Sequence, residues 1–306
     1  MIFLHVGLPK TGTTTLQYHA KSGAISNELV YLHDDSHFIQ SRLFTNYIID
    51  QDWQALEACV SAFLDQPKSV LISDEVICQD RVLLARNTLL SRFAQLFRPT
   101  IVVTLRPLEA WVTSLFSQKL KKDPSVSVPD LFASTLKNKK LIGFTLNIFG
   151  VLNRLKKLSD EANTELLLVC SRDDVINNFL ESIDIKPDHS HDSRIKDNFN
   201  VSPRKDKLIY SRLLSMTEYC SGLPLSSSLT EQELISRLDG YHLDLISQQW
   251  MDKFMSDIVQ SEDYLLASQW LSRNLLAFLM QRIDYPSSGN ALYLSDLSLP
   301  LHLDVL

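Results

Sequence analysis

Met1-Ile2-Phe3-Leu4-His5-Val6-Gly7-Leu8-Pro9-Lys10-Thr11-Gly12-Thr13-Thr14-Thr15-Leu16-Gln17 opens the chain with an apolar run, a tight loop and the start of a helix. The run Met1–Val6 has the length and apolar character of a buried parallel strand. A strand that feeds a loop and then a helix builds an anion site. The first helical turn carries N–H groups without intrahelical acceptors, and the helix dipole favours negative charge there. Gly12 lets the backbone come close to a ligand because no Cβ stands in the way. Thr13, Thr14 and Thr15 add hydroxyl donors. Residues 7–15 are thus expected to cradle a phosphate or sulfate.

The variant of the loop narrows its use. A Walker A loop reads G-x-x-x-x-G-K-[ST]. Gly7 and Gly12 keep that spacing, but Thr13 stands at the lysine position and the lysine is Lys10, inside the loop. This argues against an ordinary ATPase or GTPase. The segment Pro9-Lys10-Thr11-Gly12-Thr13-Thr14 resembles the phosphosulfate-binding loop of the sulfotransferase family, which holds the 5′ end of 3′-phosphoadenosine 5′-phosphosulfate (PAPS). The resemblance implies cofactor contacts from Lys10, Thr11, Gly12, Thr13, Thr14 and Thr15. It also departs from the family's cytosolic small-molecule enzymes, which place an aromatic residue where Thr15 stands.

Outward from the loop, strand and helix signals alternate. Ser69–Ile72, Thr100–Leu105 and Glu165–Val169 read as further buried strands. Helical spacing or helix punctuation marks Gln51–Leu64, Arg81–Phe97, Pro107 to about Lys122, Asp130–Leu136, Leu146–Leu158 and Asp173–Leu180. Residues 24–50 give no clear assignment beyond a surface excursion. The pattern predicts an α/β fold, a P-loop-type parallel sheet flanked by helices, followed by a helical C-terminal part. Ligands of such sheets bind beyond the carboxyl ends of the strands, where Lys10, Asp74, Glu75 and Arg106 all fall.

Arg106 ends a strand, and Ser114 follows it eight residues later, about two turns into the next helix. A guanidinium fork and a hydroxyl suit phosphate oxygens. This pair resembles the 3′-phosphate-binding segment of sulfotransferases. Leu71-Ile72-Ser73-Asp74-Glu75 is similar to the strand end of bacterial carbohydrate sulfotransferases, and Leu166–Asp174 to their later strand and acidic helix start. The resemblance spans roughly residues 1–185 and implies PAPS as cofactor, adenosine 3′,5′-bisphosphate as product, and no metal. A basic loop near the C-terminus that grips the cofactor in cytosolic members has no clear counterpart; Arg194, Lys196, Arg204 and Lys205 are the candidates for that duty.

Two domains are expected: a PAPS-binding α/β core over 1–185, and a helical part over 186–306 that covers the cleft and contributes to the acceptor site, either separate or continuous with the core. Helices are expected at Lys205–Tyr219, Glu231–Leu238, Tyr241–Val259 and Asp263–Arg282, and an extended arm after Pro286. Hydrophobic content is 45% over 306 residues, enough for a large core. A formal charge of −6 argues against bulk nucleic-acid binding. Cys59, Cys78, Cys170 and Cys220 form no metal-ligand spacing and read as thiols of a reducing compartment. No leader pattern or membrane-length apolar run is evident, so the expectation is a cytoplasmic protein without an integral membrane segment. Lys119, Lys121, Lys122, Lys137, Lys139 and Lys140 form a basic region that reads first as a solvated helix face. The oligomeric state is not legible.

In the resulting scheme Lys10 stabilises the leaving phosphate oxygen and Glu75 takes the acceptor proton. Asp74 is its rival, because strand alternation turns only one of the two toward the cleft. Histidines including His5 are further base candidates, although a histidine inside a buried strand is more often a satisfied core residue. The acceptor is a hydroxyl, expected on a carbohydrate or glycoconjugate. The competing readings are a P-loop small-molecule kinase and a non-catalytic nucleotide-binding protein of the same fold.

Overall fold

In the computed structural model, residues 1–23, 25–33, 47, 50, 52–64, 67–78, 88–123, 126–170, 174–187, 242–282, 291–293 and 295 are described. The elements run β1 (Ile2–His5), α1 (Thr13–Lys21), β2 (Leu29–Tyr31), α2 (Trp53–Leu64), β3 (Ser69–Ser73), a 3₁₀ turn (Glu75–Cys78), α3 (Thr88–Phe97), β4 (Thr100–Leu105), α4 (Leu108–Lys122) and α5 (Val128–Asn138). Then come β5 (Lys140–Leu141), β6 (Phe144–Thr145), α6 (Ile148–Ala162), β7 (Leu166–Cys170), α7 (Val175–Ser182), β8 (His242–Asp244), α8 (Gln248–Val259), α9 (Glu262–Ala267), α10 (Arg273–Leu279) and β9 (Ala291–Tyr293). They fall into two compact units: Met1–Leu108 with Gly143–Val201 and Asp263–Met280, and Glu109–Ile142 with Ser202–Glu262 and Gln281–Leu306. The expected boundary at 185 does not coincide with this division, since Gly143–Val201 runs through it and Asp263–Met280 belongs with the sheet.

The first unit is built on a five-stranded sheet of order β2-β3-β1-β4-β7. Every neighbouring pair is parallel. The α/β expectation is therefore met, and the strand that feeds the loop is the central one. Its flanking strands are β3 on one side and β4 on the other, the position at which such a sheet opens a crevice for ligands. Strand alternation divides the apolar residues between two faces. Phe3, Tyr31, Leu71, Val102 and Val169 share a buried cluster with Leu16 of α1 and Ile176, Phe179 and Leu180 of α7. Leu4, Ile72, Ile101 and Val103, of the opposite parity, are likewise buried. The helices α3 and α6 contact one another. Arg92 lies 4.1 Å from the centroid of the Trp53 ring, which ties α3 to α2. Burying a side chain such as Phe179 stabilises by roughly 1.5–3 kcal/mol, and truncating it to Ala costs about 3–5 kcal/mol.

β2 went unrecognised in the sequence because a run of three residues is too short to show a period. Of the helix expected over Arg81–Phe97, the described residues carry Thr88–Phe97. The single helix expected over Asp263–Arg282 is two, since Ser272 breaks it by accepting from the Leu275 N–H at 3.2 Å as the cap of α10. The Trp270 indole donates to Asn153 Oδ1 at 2.9 Å, and the Asn153 amide donates to the Asp263 carbonyl at 2.8 Å, so this segment is tied to α6.

In the second unit, Phe116 and Phe132 stack at 4.2 Å and Trp250 meets both edge-on at 5.4 Å. These aromatics are buried together and form a core. The buried Glu109 accepts from Arg282 Nε at 3.2 Å. Lys139 is bound to Asp257 at 2.5 Å and Lys119 to Asp123 at 2.7 Å, so two members of the basic region are paired. The helix expected over Tyr241–Val259 begins later than expected, because a short strand precedes it. β8 and β9 pair in parallel, with His242 opposite Ala291, and α8 starts only at Gln248, where Ser247 caps the Trp250 N–H at 3.2 Å. The expected helices Lys205–Tyr219 and Glu231–Leu238, and the candidates Arg194, Lys196, Arg204 and Lys205, lie outside the described residues. Among the described residues, no helix is long and apolar enough to cross a membrane.

Candidate anion-binding site

The loop grows directly out of the central strand. The Val6 N–H still bonds the Val102 carbonyl at 2.8 Å, and only then does the chain leave the sheet. The Leu8 carbonyl closes the loop: it accepts from the Thr11 N–H at 3.3 Å, the Thr11 hydroxyl at 2.6 Å and the Thr13 hydroxyl at 3.4 Å. The hydroxyls of Thr11 and Thr13, expected to reach an anion, are here used to fold the loop on itself. Thr14 is half-buried on the first turn of α1, and Thr15 is buried behind it.

Two residues of the loop are left-handed, Lys10 at φ 67° and Gly12 at φ 91°. Alternation of left-handed and ordinary residues turns neighbouring N–H groups toward one concavity, a shape that suits anions. Gly12 is required twice over, since its φ is costly for any L side chain and a Cβ there would lie 2.4 Å from Cγ2 of Val175. Gly7 has no room either, because its Cβ would fall 2.1 Å from the Thr13 hydroxyl. The first turn of α1 holds no acidic residue, so none of its own side chains competes for the positive end of the helix.

Arg106 follows β4 and reaches back to the loop, where Nη1 donates to the Lys10 carbonyl at 2.9 Å. The structure thus joins Lys10 and Arg106, residues 96 apart in sequence, at the carboxyl ends of adjacent strands. Ser114 lies on α4 in the second unit.

Asp74 and Glu75 follow β3. The Asp74 N–H extends the ladder to the His5 carbonyl at 3.1 Å, and Asp74 is buried. Glu75 is half-buried and starts the 3₁₀ turn, so the alternation argument for choosing between the two fails: the strand has already ended at Ser73. The Ser73 carbonyl, one residue before the acids, accepts from Gln17 Nε2 at 2.8 Å and from the Tyr31 hydroxyl at 3.4 Å. Burial, with the Glu75 and Asp74 carboxylates nearby, pushes the Cys78 thiol up and keeps it protonated. His5 is fully buried and bonds Ser73 Oγ at 2.8 Å through Nδ1 and Thr104 Oγ1 through Nε2. Burial lowers its pKa to about 3, which makes it a poor base at neutral pH. Among the described residues, no group of three His, Cys, Asp or Glu side chains could hold a metal ion.

Sequence reasoning missed Val175, Ser73, Gln17 and Thr104. Nothing in the sequence marks Val175 as the neighbour of Gly12. Ser73 and Thr104 did carry a signal, as polar residues closing otherwise apolar strands beside a strand-end histidine. A cavity of about 430 Å³ lies elsewhere in the first unit, by Leu166–Leu168 at the start of β7 and Trp270. Its Ser159 hydroxyl is already spent on the Thr164 carbonyl at 2.6 Å.

The fold and the loop define the class, an α/β protein of the P-loop type whose central parallel strand feeds a glycine-threonine loop. No family model matches the chain, and no curated protein matches it in sequence. Among solved structures, the mouse sulfotransferase SULT7A1 complexed with PAP is similar to it at a TM-score of 0.41, with 10% identity over 88% of each chain.

Proposed function

We propose that this chain is a PAPS-dependent sulfotransferase that moves a sulfuryl group to a hydroxyl of a carbohydrate or glycoconjugate acceptor. The observation that carries the reading is the loop. It has the glycine spacing of a phosphate cradle, a threonine at the Walker lysine position, and its lysine at Lys10, in a left-handed turn braced by Arg106. The donor set fits a group with phosphate at both ends. Lys10 and the first-turn N–H groups of α1 suit the 5′ end. Arg106 has five N–H donors, one of which goes to the Lys10 carbonyl, so its fork retains donors for a 3′-phosphate. The sequence resemblance adds Ser114 to that end.

PAPS supplies an activated sulfuryl group whose leaving oxygen belongs to the 5′-phosphate. The Lys10 ammonium and the loop N–H groups stabilise the charge that develops there. Glu75 accepts the proton of the acceptor hydroxyl. It is half-buried, one residue beyond the buried Asp74, and stands at the carboxyl end of the strand beside β1. No metal is required by this scheme.

The test is transfer of labelled sulfate from PAPS to a panel of hydroxyl acceptors by the full chain and by Lys10→Met. Transfer by the wild type that falls on the order of 100-fold or more in Lys10→Met supports the reading. Transfer unaffected by Lys10→Met contradicts the assignment of Lys10. Phosphate transfer from ATP in its place would make the protein a kinase.

A further inference from the structure

The face of the sheet that packs on α1 and α7 changes character at the strand ends. On this face Phe3, Leu71 and Val102 are apolar and buried. The hydrogen-bonded tier at the strand ends, His5, Ser73 and Thr104, is equally buried but polar. His5 lies in register with Ser73 on β3 and with Val102 on β4. Its ring bonds Ser73 Oγ at 2.8 Å on one side and Thr104 Oγ1 on the other, and it packs T-shaped with the Phe179 ring at 5.3 Å between centroids. A neutral imidazole has one donor and one acceptor nitrogen, and each hydroxyl can take either role, so the three groups satisfy one another whichever tautomer is present. An apolar tier would fill this space without needing that match. What the polar tier adds is directional linkage across three strands at once.

The residues that follow give that linkage a use. Ser73 immediately precedes Asp74 and Glu75. Thr104 stands two residues before Arg106, and His5 two residues before Gly7. From this juxtaposition we infer that His5 is a positioning residue: its bond through Ser73 sets the acids, and its bond through Thr104 sets Arg106, both relative to the loop. The inference rests on the sulfotransferase reading for the roles of those groups. His5 itself stays neutral at working pH, since burial holds its pKa at about 3, and both ring nitrogens are engaged. It touches no reacting atom.

The two links can be cut separately. An asparagine amide nitrogen falls near imidazole Nδ1, and a glutamine amide nitrogen near Nε2. His5→Asn therefore keeps the Ser73 link and loses Thr104, whereas His5→Gln does the reverse. In the full chain, His5→Gln is expected to lower kcat on the order of 10- to 100-fold while the Kd for adenosine 3′,5′-bisphosphate changes by less than about threefold. His5→Asn is expected to weaken that Kd about tenfold, with the smaller effect on kcat. Ser73→Ala should reproduce His5→Gln and add little to it. Two variants that only melt at lower temperature, with kcat and Kd at wild-type values, would overturn the inference; so would the same loss in both. Should the wild type neither bind the bisphosphate nor transfer sulfate, the sulfotransferase reading fails, and amide exchange without nucleotide decides on His5. Faster exchange confined to 74–78 in His5→Gln and to 104–108 in His5→Asn supports it. Unchanged or uniformly faster exchange refutes it.

Discussion

Gly12→Ala tests the loop geometry without reference to any ligand. Two costs follow from the structure. At φ 91° an L side chain meets the backbone strain of the left-handed region, roughly 1–2 kcal/mol. The added methyl would also stand 2.4 Å from Cγ2 of Val175 and 3.0 Å from its Cβ and Cγ1. Valine is stiff at χ1 and cannot swing clear, so the contact adds an overpacking cost of about 1–3 kcal/mol. The sum, about 2–5 kcal/mol, corresponds to a fall in melting temperature of roughly 4–20 °C at 2–4 °C per kcal/mol for a chain segment of this size. The assay is scanning calorimetry of wild type, Gly12→Ala, Val175→Ala and the double variant, read on the transition that responds to Val175→Ala. Removing the valine methyls should recover the overpacking part, so the two changes should be non-additive by about 1–3 kcal/mol, leaving only the backbone strain. A Gly12→Ala melt within about a degree of wild type, or strict additivity, would refute the account of this loop.

Three further outcomes follow. Glu75→Ala should lower turnover on the order of 100-fold or more with little change in stability, whereas Asp74→Ala, at a buried position, should act mainly on the melting temperature; near-normal transfer by Glu75→Ala would end its assignment as base. Arg106→Ala should weaken adenosine 3′,5′-bisphosphate about 10- to 100-fold but leave adenosine 5′-phosphate nearly unchanged, whereas equal loss for both nucleotides would mean that Arg106 acts only by holding the Lys10 carbonyl. The folded pKa of His5, about 3, lies below its ordinary 6.5, so the unfolded chain binds more protons between those values. Its contribution is full above about pH 6.5 and falls by up to about 1.4 kcal/mol per pH unit toward pH 3; denaturant titrations of wild type and His5→Phe should differ by that slope.

The sheet was legible because buried parallel strands such as Thr100–Leu105 are β-branched, continuous and bounded by proline or charge. The turn between β1 and α1 was legible because a short apolar run gives way to Gly7 and Gly12, and Gly12 takes the positive φ that such a turn needs. What escaped depended on side chains meeting across the sequence. No local signal foretells that Arg106 bonds the Lys10 carbonyl, that the Thr11 and Thr13 hydroxyls close on Leu8, or that Val175 excludes a Cβ at Gly12. Three-residue strands such as β2 and β8 owe their existence to ladder partners far along the chain, so periodicity cannot reveal them. The choice between Asp74 and Glu75 failed for a related reason, because alternation holds only while the strand lasts and β3 ends at Ser73.

The most direct measurement is calorimetry of the full chain with adenosine 3′,5′-bisphosphate and, separately, with ATP and Mg²⁺. The proposed reading, which assigns Lys10 to the 5′ end and the Arg106 fork to a 3′-phosphate, predicts binding of the bisphosphate at least about tenfold tighter than ATP, weakened by Lys10→Met. Tight ATP–Mg²⁺ binding with none for the bisphosphate would contradict it.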